Sequence, residues 1–285
     1  MTLAIVTDST ADLTAPRQRE LDLRVIPLSV HIGSETFDDW TGITPKEMFR
    51  RVEQGGAAHP TTSQPSPERF REIYAQAFAE GADEILSLHI ASGLSGTLGS
   101  ATLAAKEVKG PVHLFDSKTT SVGLGALVTR ASELRAEGAK GEVILAELAR
   151  LRDALFLRMI LPRLDYLHKG GRIGGAQAFV GGLLKLTPIL TFKEGKVATT
   201  ARARGLSRAM KTLFGELASY AQAHPGGIRV FPVFGTEDSE AKGPVLAEIG
   251  NLGEAVTLEA STTGGSVIGV YGGPGWFGLA AIPRG

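Results

Sequence analysis

The strongest constraint on the fold is an order of elements that repeats through the first half of the chain. Short apolar runs end in polar turns and are followed by helix-start signals, as in Leu3–Val6, Glu84–Ile90 and Val112–Phe115. Apolar runs of this length predict buried strands, and strands that alternate with helices predict a parallel sheet. We therefore expect a helix-flanked, mainly parallel sheet. Its polar strand ends should meet at one edge, where open α/β sheets bind ligands.

Helix signals in this half are specific. Thr44-Pro45-Lys46-Glu47 is a capping box with proline at the first helical position, which predicts a helix to about Gln54. Ser66-Pro67 predicts a helix to Glu80, and a further helix is expected around Gly125–Glu137. The stretch Leu23–Ile32 is rich in Val, Ile and Leu and closes at Gly33-Ser34, which predicts an extended segment.

The second half has a different pattern. It predicts a hairpin around Glu194-Gly195, a long amphipathic helix over Leu206–Ala223, and strands at Ile228–Phe234, Val256–Glu259 and Val267–Val270. We expect a smaller α+β domain here. The division is placed at 1–157 for the N-terminal α/β domain and 158–285 for the C-terminal domain.

Several classes of function lack their signatures. The chain of 285 residues has no cysteine, which excludes disulfides and thiolate sites, and its six histidines are scattered, so we expect no metal site. Neither a Walker motif nor a G-x-G-x-x-G turn occurs, and we expect no cofactor. No apolar run is long enough to span a membrane, and the N-terminus does not resemble a secretion signal. We expect a cytoplasmic protein.

Charge is balanced overall but not along the chain. Thirty basic residues match thirty acidic ones, which argues against a nucleic-acid partner. From Arg158 to Lys211, however, eleven basic residues face two acidic ones, a net of +9. This segment is either an anion-facing surface or an ordinary solvated face.

The turn Ser92-Gly93-Leu94-Ser95-Gly96-Thr97 is the most informative local feature. It lies between a predicted strand and a helix, so backbone N–H groups and the hydroxyls of Ser95 and Thr97 are placed to hold an anion. Alternatively, Ser95 only caps the helix. A nucleophile elbow would need glycine at position 97, where this chain has threonine, and no motif supplies a base for Ser95. An acyl hydrolase or transferase that uses Ser95 is nevertheless kept as the alternative function.

Two other segments are rich in residues that restrict or free the backbone. The loop His59–Pro67 contains three prolines and four hydroxyl residues, so it is either a stiff support for a hydroxyl group or an exposed helix entry. Lys169–Gly175 and Tyr271–Gly275 are glycine-rich and either approach a ligand closely or form simple turns.

Taken in order, these motifs resemble the DegV family of bacterial fatty-acid-binding proteins. The resemblance runs from residue 2 to about 280 and rests on seven segments: Thr7–Asp12, Thr62–Ser66, Ser92–Thr97, Phe115–Ser117, Leu164–Ile173, Pro188–Leu190 and Gly273–Gly275.

The resemblance implies two domains with one long-chain fatty acid of 16–18 carbons between them, its tail in an apolar tunnel. It implies that Thr62 and Ser95 bind the carboxylate, and it makes Ser92, Thr97, Tyr271 and Gly272 further ligand-binding candidates. Family members present the acid to a separate kinase that forms acyl phosphate. Arg202 and Arg204, like Arg172, would then face that partner. Transient contact of the protein with a membrane is a further possibility that the resemblance allows.

Two departures from the family pattern stand out. Ala91-Ser92 replaces a Ser-Ser pair, and Tyr271 stands where many members have histidine. A tyrosine hydroxyl can donate to a carboxylate but carries no charge near pH 7. The first hypothesis is a lipid carrier that is not an enzyme; beside it and the Ser95 enzyme, a ligand-sensing regulator would share the pocket without a kinase.

Overall fold

The computed structural model describes residues 2–54, 59–179 and 186–284. Its first half follows the predicted alternation of strands and helices. The elements are β1 (Leu3–Asp8), α1 (Ala15–Glu20), β2 (Leu23–Ile26), β3 (Ser29–Ile32), β4 (Glu35–Asp38), α2 (Pro45–Gln54), β5 (Thr61–Ser63), α3 (Pro67–Ala79), β6 (Glu84–His89), α4 (Thr97–Ala105), β7 (Val112–Asp116), α5 (Val122–Ala136) and α6 (Gly141–Ala154).

The second half contributes most of a second sheet. Its elements are β8 (Phe156–Ile160), α7 (Asp165–Lys169), β9 (Leu186–Lys193), β10 (Lys196–Arg204), α8 (Leu206–Gln222), β11 (Ile228–Phe234), α9 (Lys242–Gly250), β12 (Val256–Leu258), β13 (Thr262–Thr263), α10 (Ser266–Gly272) and β14 (Phe277–Pro283). The predicted hairpin and long helix are confirmed. The domain boundary after residue 157 stays a prediction, since β8 already begins at Phe156.

Three sheets organise these elements. β2-β1-β6-β7 form a fully parallel sheet, which confirms the α/β class. A mixed sheet has the order β10-β9-β8-β14-β11-β12, with β13 also paired to β11. The small antiparallel sheet β4-β3-β5 carries the hydroxyl-rich loop at its edge, because β5 pairs with β3 in the register Thr62↔Val30.

Helix α5 lies between the two large sheets. Eleven of its fifteen residues are buried, and its apolar residues share a core with Ile5 and Leu86 on one side and with Leu157 and Ile282 on the other. The opposite face of the parallel sheet packs on α3 and α4 through Phe70, and the outer face of the mixed sheet packs on α8 and α9. The faces of α5 that meet the two sheets are apolar, and its charged residues Arg130, Glu133 and Arg135 lie where the helix stays partly exposed.

The structure refines one predicted element and corrects another. The extended segment Leu23–Ile32 divides into β2 and β3, which belong to different sheets, with Pro27 between them. Proline has no N–H for a sheet ladder, so the chain changes direction there. Val267–Val270 is not a strand but part of helix α10. A run of four apolar residues does not distinguish a strand from a buried helix.

Candidate functional site

A cavity of about 390 Å³ lies where the three sheets approach one another. Most of its wall is apolar, with side chains from the mixed sheet, from the ends of the parallel strands and from α7 and α10. Its lining residues are Leu28, Thr62, Ser63, Gln64, Ile90, Leu94, Ser95, Thr120, Met159, Leu161, Leu167, Arg172, Leu190, Phe192, Val197, Val267, Ile268, Tyr271, Gly272 and Trp276. Apolar walls with a few polar groups are typical of small-molecule sites.

Two of the predicted ligand-binding residues form a pair in this wall. Thr62 Oγ1 and the Tyr271 hydroxyl are 2.6 Å apart, so one donates to the other. Thr62 reaches this position from β5, and Tyr271 from α10. Gly170 permits the arrangement, because a Cβ at position 170 would lie 2.4 Å from the Tyr271 ring.

Ser95 also lies in the wall, and Thr97 supports it from behind. Ser95 Oγ is 2.8 Å from Thr97 Oγ1 and accepts from the Thr97 N–H at 3.3 Å. The N-cap residue of α4 is Gly96 and not Ser95, so Ser95 contacts the start of the helix from the position before the cap. Thr97 is buried and does not line the cavity, so its predicted ligand contact is corrected to a positioning contact.

Ser92 takes a different position from the one predicted. It does not line the cavity; its hydroxyl donates to Asp116 at 2.5 Å, and its N–H is directed at the same carboxylate. The predicted meeting of polar strand ends at one sheet edge thus occurs between β6 and β7. This contact fixes the start of the Ser92–Thr97 turn.

The hydroxyl-rich loop docks on that turn through Gln64. The Gln64 amide donates to Ser100 at 3.1 Å, and its Oε1 would lie 2.2 Å from a Cβ at position 96. Glycine at 96 leaves room for this approach, because a Cβ there would displace the end of the Gln64 side chain. Gln64 was not among the predicted site residues, although it belongs to the same Thr62–Ser66 motif.

Arg172 lies against the cavity rather than only at an outer surface. Its Nε donates to the Leu94 carbonyl at 3.2 Å and its Nη1 to the Gly170 carbonyl at 2.9 Å. Its guanidinium also lies 5.5 Å from the centre of the Tyr271 ring, within range of a cation–π interaction. Arg172 thus brings a positive charge to the end of the cavity that holds Thr62, Ser95 and Tyr271.

Arg202 and Arg204 are exposed, and neither forms an ion pair within the described part of the chain. They lie on β10 opposite Pro188 and Leu186. Side chains alternate between the two faces of a strand, so Leu186 and Pro188 lie on the same face of β9 as Leu190 and Phe192, which line the cavity. A bulge between Thr199 and Ala201 brings both arginines to that face. Lys185, another member of the +9 segment, lies outside the described residues.

The N-terminus of α10 is held by two buried carboxylates from the first half of the chain. Asp12 accepts from the Gly265 N–H at 2.7 Å and from Ser121 Oγ at 2.5 Å, and Asp39 accepts from the Val267 N–H at 3.2 Å. Burial raises the pKa of Asp12 well above its usual value and raises the pKa of Asp39 to about 6. Sequence patterns did not identify these aspartates as a pair.

The site offers hydroxyl donors and a cation, but among the residues that the structure describes no general base is bonded to Ser95. Within the described residues, the hydrogen-bond partners of Ser95 Oγ both belong to Thr97. No group of three or more His, Cys, Asp or Glu side chains there is arranged to hold a metal ion. Among the described helices, none has both the length and the apolar character to cross a membrane.

Comparisons with known proteins agree on one family. The DegV family model, described as "Uncharacterised protein, DegV family", matches residues 2–284. A DegV domain-containing protein of Deinococcus radiodurans is 39% identical over 283 residues, which cover 99% of each chain.

Solved structures of the same family match over the whole chain. A DegV family protein from Thermus thermophilus, whose structure is described as showing fatty acid binding, has a TM-score of 0.90 at 44% identity, with 100% of both chains covered. DegV from Bacillus subtilis, described as a fatty acid binding protein, has a TM-score of 0.90 at 28% identity with the same coverage.

We predict that Asp39 makes the protein less stable as the pH rises. With a pKa near 6 in the folded state and near 3.8 in the unfolded chain, the folded protein holds one more proton between these values. The free energy of unfolding should therefore fall through this window, by up to about 3 kcal/mol from this group. Asp39→Asn keeps an acceptor for the Val267 N–H and should remove this part of the slope.

The measurement is urea unfolding from pH 4 to pH 7. Asp38→Asn is the matched control, because Asp38 is the neighbouring residue but its carboxylate pairs with Arg69 at the surface. If Asp39→Asn and the wild type give parallel curves of stability against pH, burial of Asp39 has no such effect.

Proposed function

Because the chain belongs to the DegV family, we propose that it binds one long-chain fatty acid, of 16–18 carbons, in the cavity between its sheets. The observation that carries this proposal is an apolar cavity with hydroxyl groups and one arginine gathered in its wall. Relatives over the full length of the chain are described as fatty acid binding proteins, which supports it. The chain acts as a carrier and not as an enzyme.

The apolar wall accounts for retention of the tail. Each methylene removed from water contributes about 0.8 kcal/mol, and a chain of this length has enough methylenes to offset the entropy lost on binding. The cavity volume lies within the range of about 300–1,000 Å³ that is usual for small-molecule sites.

The carboxylate is bound by Thr62 and Ser95. Both hydroxyls line the cavity, and each has a second hydroxyl beside it, Tyr271 and Thr97 respectively. When the ligand accepts from Thr62, the Tyr271 hydroxyl can in turn donate to Thr62. Arg172 supplies the positive charge that the uncharged Tyr271 does not.

A separate fatty-acid kinase is the partner. In the reaction we propose, a carboxylate oxygen bonds to the γ-phosphorus of ATP while the bond from that phosphorus to the β,γ-bridging oxygen breaks, which yields acyl phosphate and ADP. Within the described residues Arg202 and Arg204 form no ion pair, and they lie on the cavity side of β10, where they are suited to attract a partner that carries phosphate groups. The cytoplasmic location stays a prediction.

The alternative enzyme would need a base that activates Ser95. The contacts of Ser95 favour binding over nucleophilic attack, because Thr97 contributes a hydroxyl and an amide and neither is a base near neutral pH. A ligand-sensing regulator would use the same cavity but would not depend on Arg202 and Arg204.

We predict that the protein purified from bacteria carries long-chain fatty acid. Extraction followed by mass spectrometry should recover mainly acids of 16–18 carbons, and added palmitate should raise the melting temperature of the delipidated protein. Repeated absence of fatty acid, together with an unchanged melting temperature, would exclude the carrier function.

We predict that Thr62→Val and Ser95→Ala each weaken palmitate binding without unfolding the protein. Each variant removes a hydrogen bond to a charged acceptor, worth about 1.5–3 kcal/mol, or roughly ten- to a hundredfold in affinity. The control is Thr61→Val, because Thr61 is the adjacent residue of β5 but does not line the cavity. A Ser95→Ala protein that binds palmitate normally and loses a hydrolytic activity would favour the enzyme.

We predict that reversing Arg202 and Arg204 to glutamate slows acyl-phosphate formation and leaves palmitate affinity unchanged. The rate should also lose much of its dependence on salt, since screening acts on charges that attract the partner. The control is Lys106→Glu with Lys109→Glu, an equal change of charge beyond the C-terminus of α4. Equal rates at low salt for the arginine variant and the wild type would show that this face has no part in presentation.

A further inference from the structure

Two polar groups in the cavity wall differ from the others. Thr120 Oγ1 and Trp276 Nε1 are buried, and neither has a hydrogen-bond partner among the described residues. Both residues line the cavity. An unpaired polar group costs free energy when it is buried, so such groups in a binding site point to a ligand atom that pairs with them. The other polar side chains of the wall each have a partner in the described part of the chain; they are Thr62, Ser63, Gln64, Ser95, Arg172 and Tyr271.

The backbone on both sides of Thr120 is anchored. The Thr119 carbonyl accepts from the Ala91 N–H at 2.8 Å, and the Ser121 N–H donates to the Thr10 carbonyl at 2.7 Å. Thr120 is therefore fixed beyond the carboxyl end of β7, and only 5% of its surface is exposed. Its hydroxyl belongs to the wall of the cavity and not to a free surface loop.

Glycines hold the Trp276 ring in one orientation. A Cβ at Gly235 would lie 2.6 Å from the ring atom Cδ1, a Cβ at Gly272 would lie 2.7 Å from the same atom, and Gly264 approaches Cζ2. This packing leaves the ring little room to turn its N–H toward another acceptor. Nε1 would lie 2.9 Å from the Cβ at position 272, and Gly272 itself lines the cavity. The N–H edge of the ring is therefore beside the cavity wall.

An oxygen atom along the ligand chain is the partner that suits both groups. An indole N–H only donates, whereas a hydroxyl group both donates and accepts. The tail of an unsubstituted fatty acid offers no oxygen, and the proposed contacts of its carboxylate are Thr62 and Ser95. A hydroxyl on the chain can accept from Trp276 and can pair with Thr120 in either direction.

We propose that the cavity takes a long-chain fatty acid with a hydroxyl group on its chain, and that Thr120 and Trp276 bind this hydroxyl. The inference rests on the proposed fatty-acid function and narrows its ligand to a hydroxy fatty acid. In a wholly apolar tail site, a chain hydroxyl weakens binding because it loses its hydrogen bonds to water. Here it should strengthen binding, since it pairs with groups that an unsubstituted acid leaves unpaired.

The test measures the affinity of the delipidated full-length protein for stearate and for 6-, 8-, 10- and 12-hydroxystearate. At least one hydroxystearate should bind the wild type about tenfold more tightly than stearate. Thr120→Val removes the hydroxyl at nearly constant volume, so it should abolish this preference and change stearate affinity less than twofold. Thr120→Ser keeps a hydroxyl and should restore most of the preference.

Thr119→Val is the matched control. Thr119 is the adjacent residue, and its hydroxyl is also buried without a partner among the described residues, but it lines a separate depression near Lys118 and Arg152. This variant should keep the preference of the wild type for the hydroxystearate. Equal losses in Thr119→Val and Thr120→Val would overturn the proposal, because the effect would then come from the loop and not from contact with the ligand.

Nuclear magnetic resonance reports on Trp276 directly. The chain has two tryptophans, so the indole N–H groups give two resonances, and Trp40→Phe identifies the one from Trp276. A hydrogen bond deshields the indole proton, so this resonance should move downfield when hydroxystearate replaces stearate. The same position with both ligands would overturn the part of the proposal that concerns Trp276.

Three further outcomes separate this inference from the function on which it rests. If stearate binds and no hydroxystearate binds more tightly, the hydroxyl site fails and the carrier function stands. If Thr120→Val weakens stearate as much as the hydroxystearates, Thr120 contacts the carboxylate and the hydroxyl site fails as well. If none of these acids binds the wild type, the carrier function itself fails.

Discussion

The geometry of the cavity depends on how the N-terminus of α10 is held. Asp12 and Asp39, both from the first half of the chain, accept hydrogen bonds from the backbone at Gly265 and Val267. These bonds fix the helix that carries Tyr271 and therefore the position of the Tyr271 hydroxyl beside Thr62. A carboxylate buried without a cation is costly, and the raised pKa values of both aspartates reflect that cost. The contacts of Asp12 and Asp39 thus both position Tyr271 in the cavity wall and make the stability of the protein depend on pH.

A second constraint is the close approach of backbone segments around the Ser92–Thr97 turn. Gln64 packs against Gly96 on one side, and the tip of the β9–β10 hairpin packs against Gly93 on the other, where a Cβ would lie 2.7 Å from the Gly195 carbonyl oxygen. An ion pair between Lys118 and Glu194, at 2.6 Å, lies near the same tip. The glycines of this turn therefore join three parts of the chain around one serine, and their role is steric.

Much of the fold could be predicted because its signals are local. Period, length and helix-start residues identify the parallel strands, α2 and α3, and the hairpin, and each of these is confirmed. The failures occur where tertiary contacts decide. Val267–Val270 forms a helix whose first N–H groups are met by carboxylates more than two hundred residues away, and Pro27 separates strands that join different sheets.

The site shows the same division. Thr62, Ser95, Tyr271 and Gly272 line one cavity as the motifs predicted, but their role as ligand contacts stays a prediction. The sequence offers no means to see that Thr97 lies behind Ser95, that Ser92 bonds to Asp116, or that Arg172 lies over the Tyr271 ring. Each of these contacts depends on where a side chain points in the folded protein, and the spacing of residues along the sequence does not give that direction.

The chemistry of the polar residues explains why such a site suits a carrier. Thr62, Ser95 and Tyr271 carry hydroxyl groups that can donate hydrogen bonds, and Arg172 contributes a guanidinium group. A site of donors stabilises a carboxylate but takes no proton from a nucleophile, which fits the proposed binding of an acid without reaction. Ser95 and Arg172 line both the cavity and an adjoining polar groove of about 430 Å³, so under the proposed function the head group of a bound acid would lie between a buried tail site and an exposed polar surface. A partner enzyme would then reach the carboxylate while the tail remains covered.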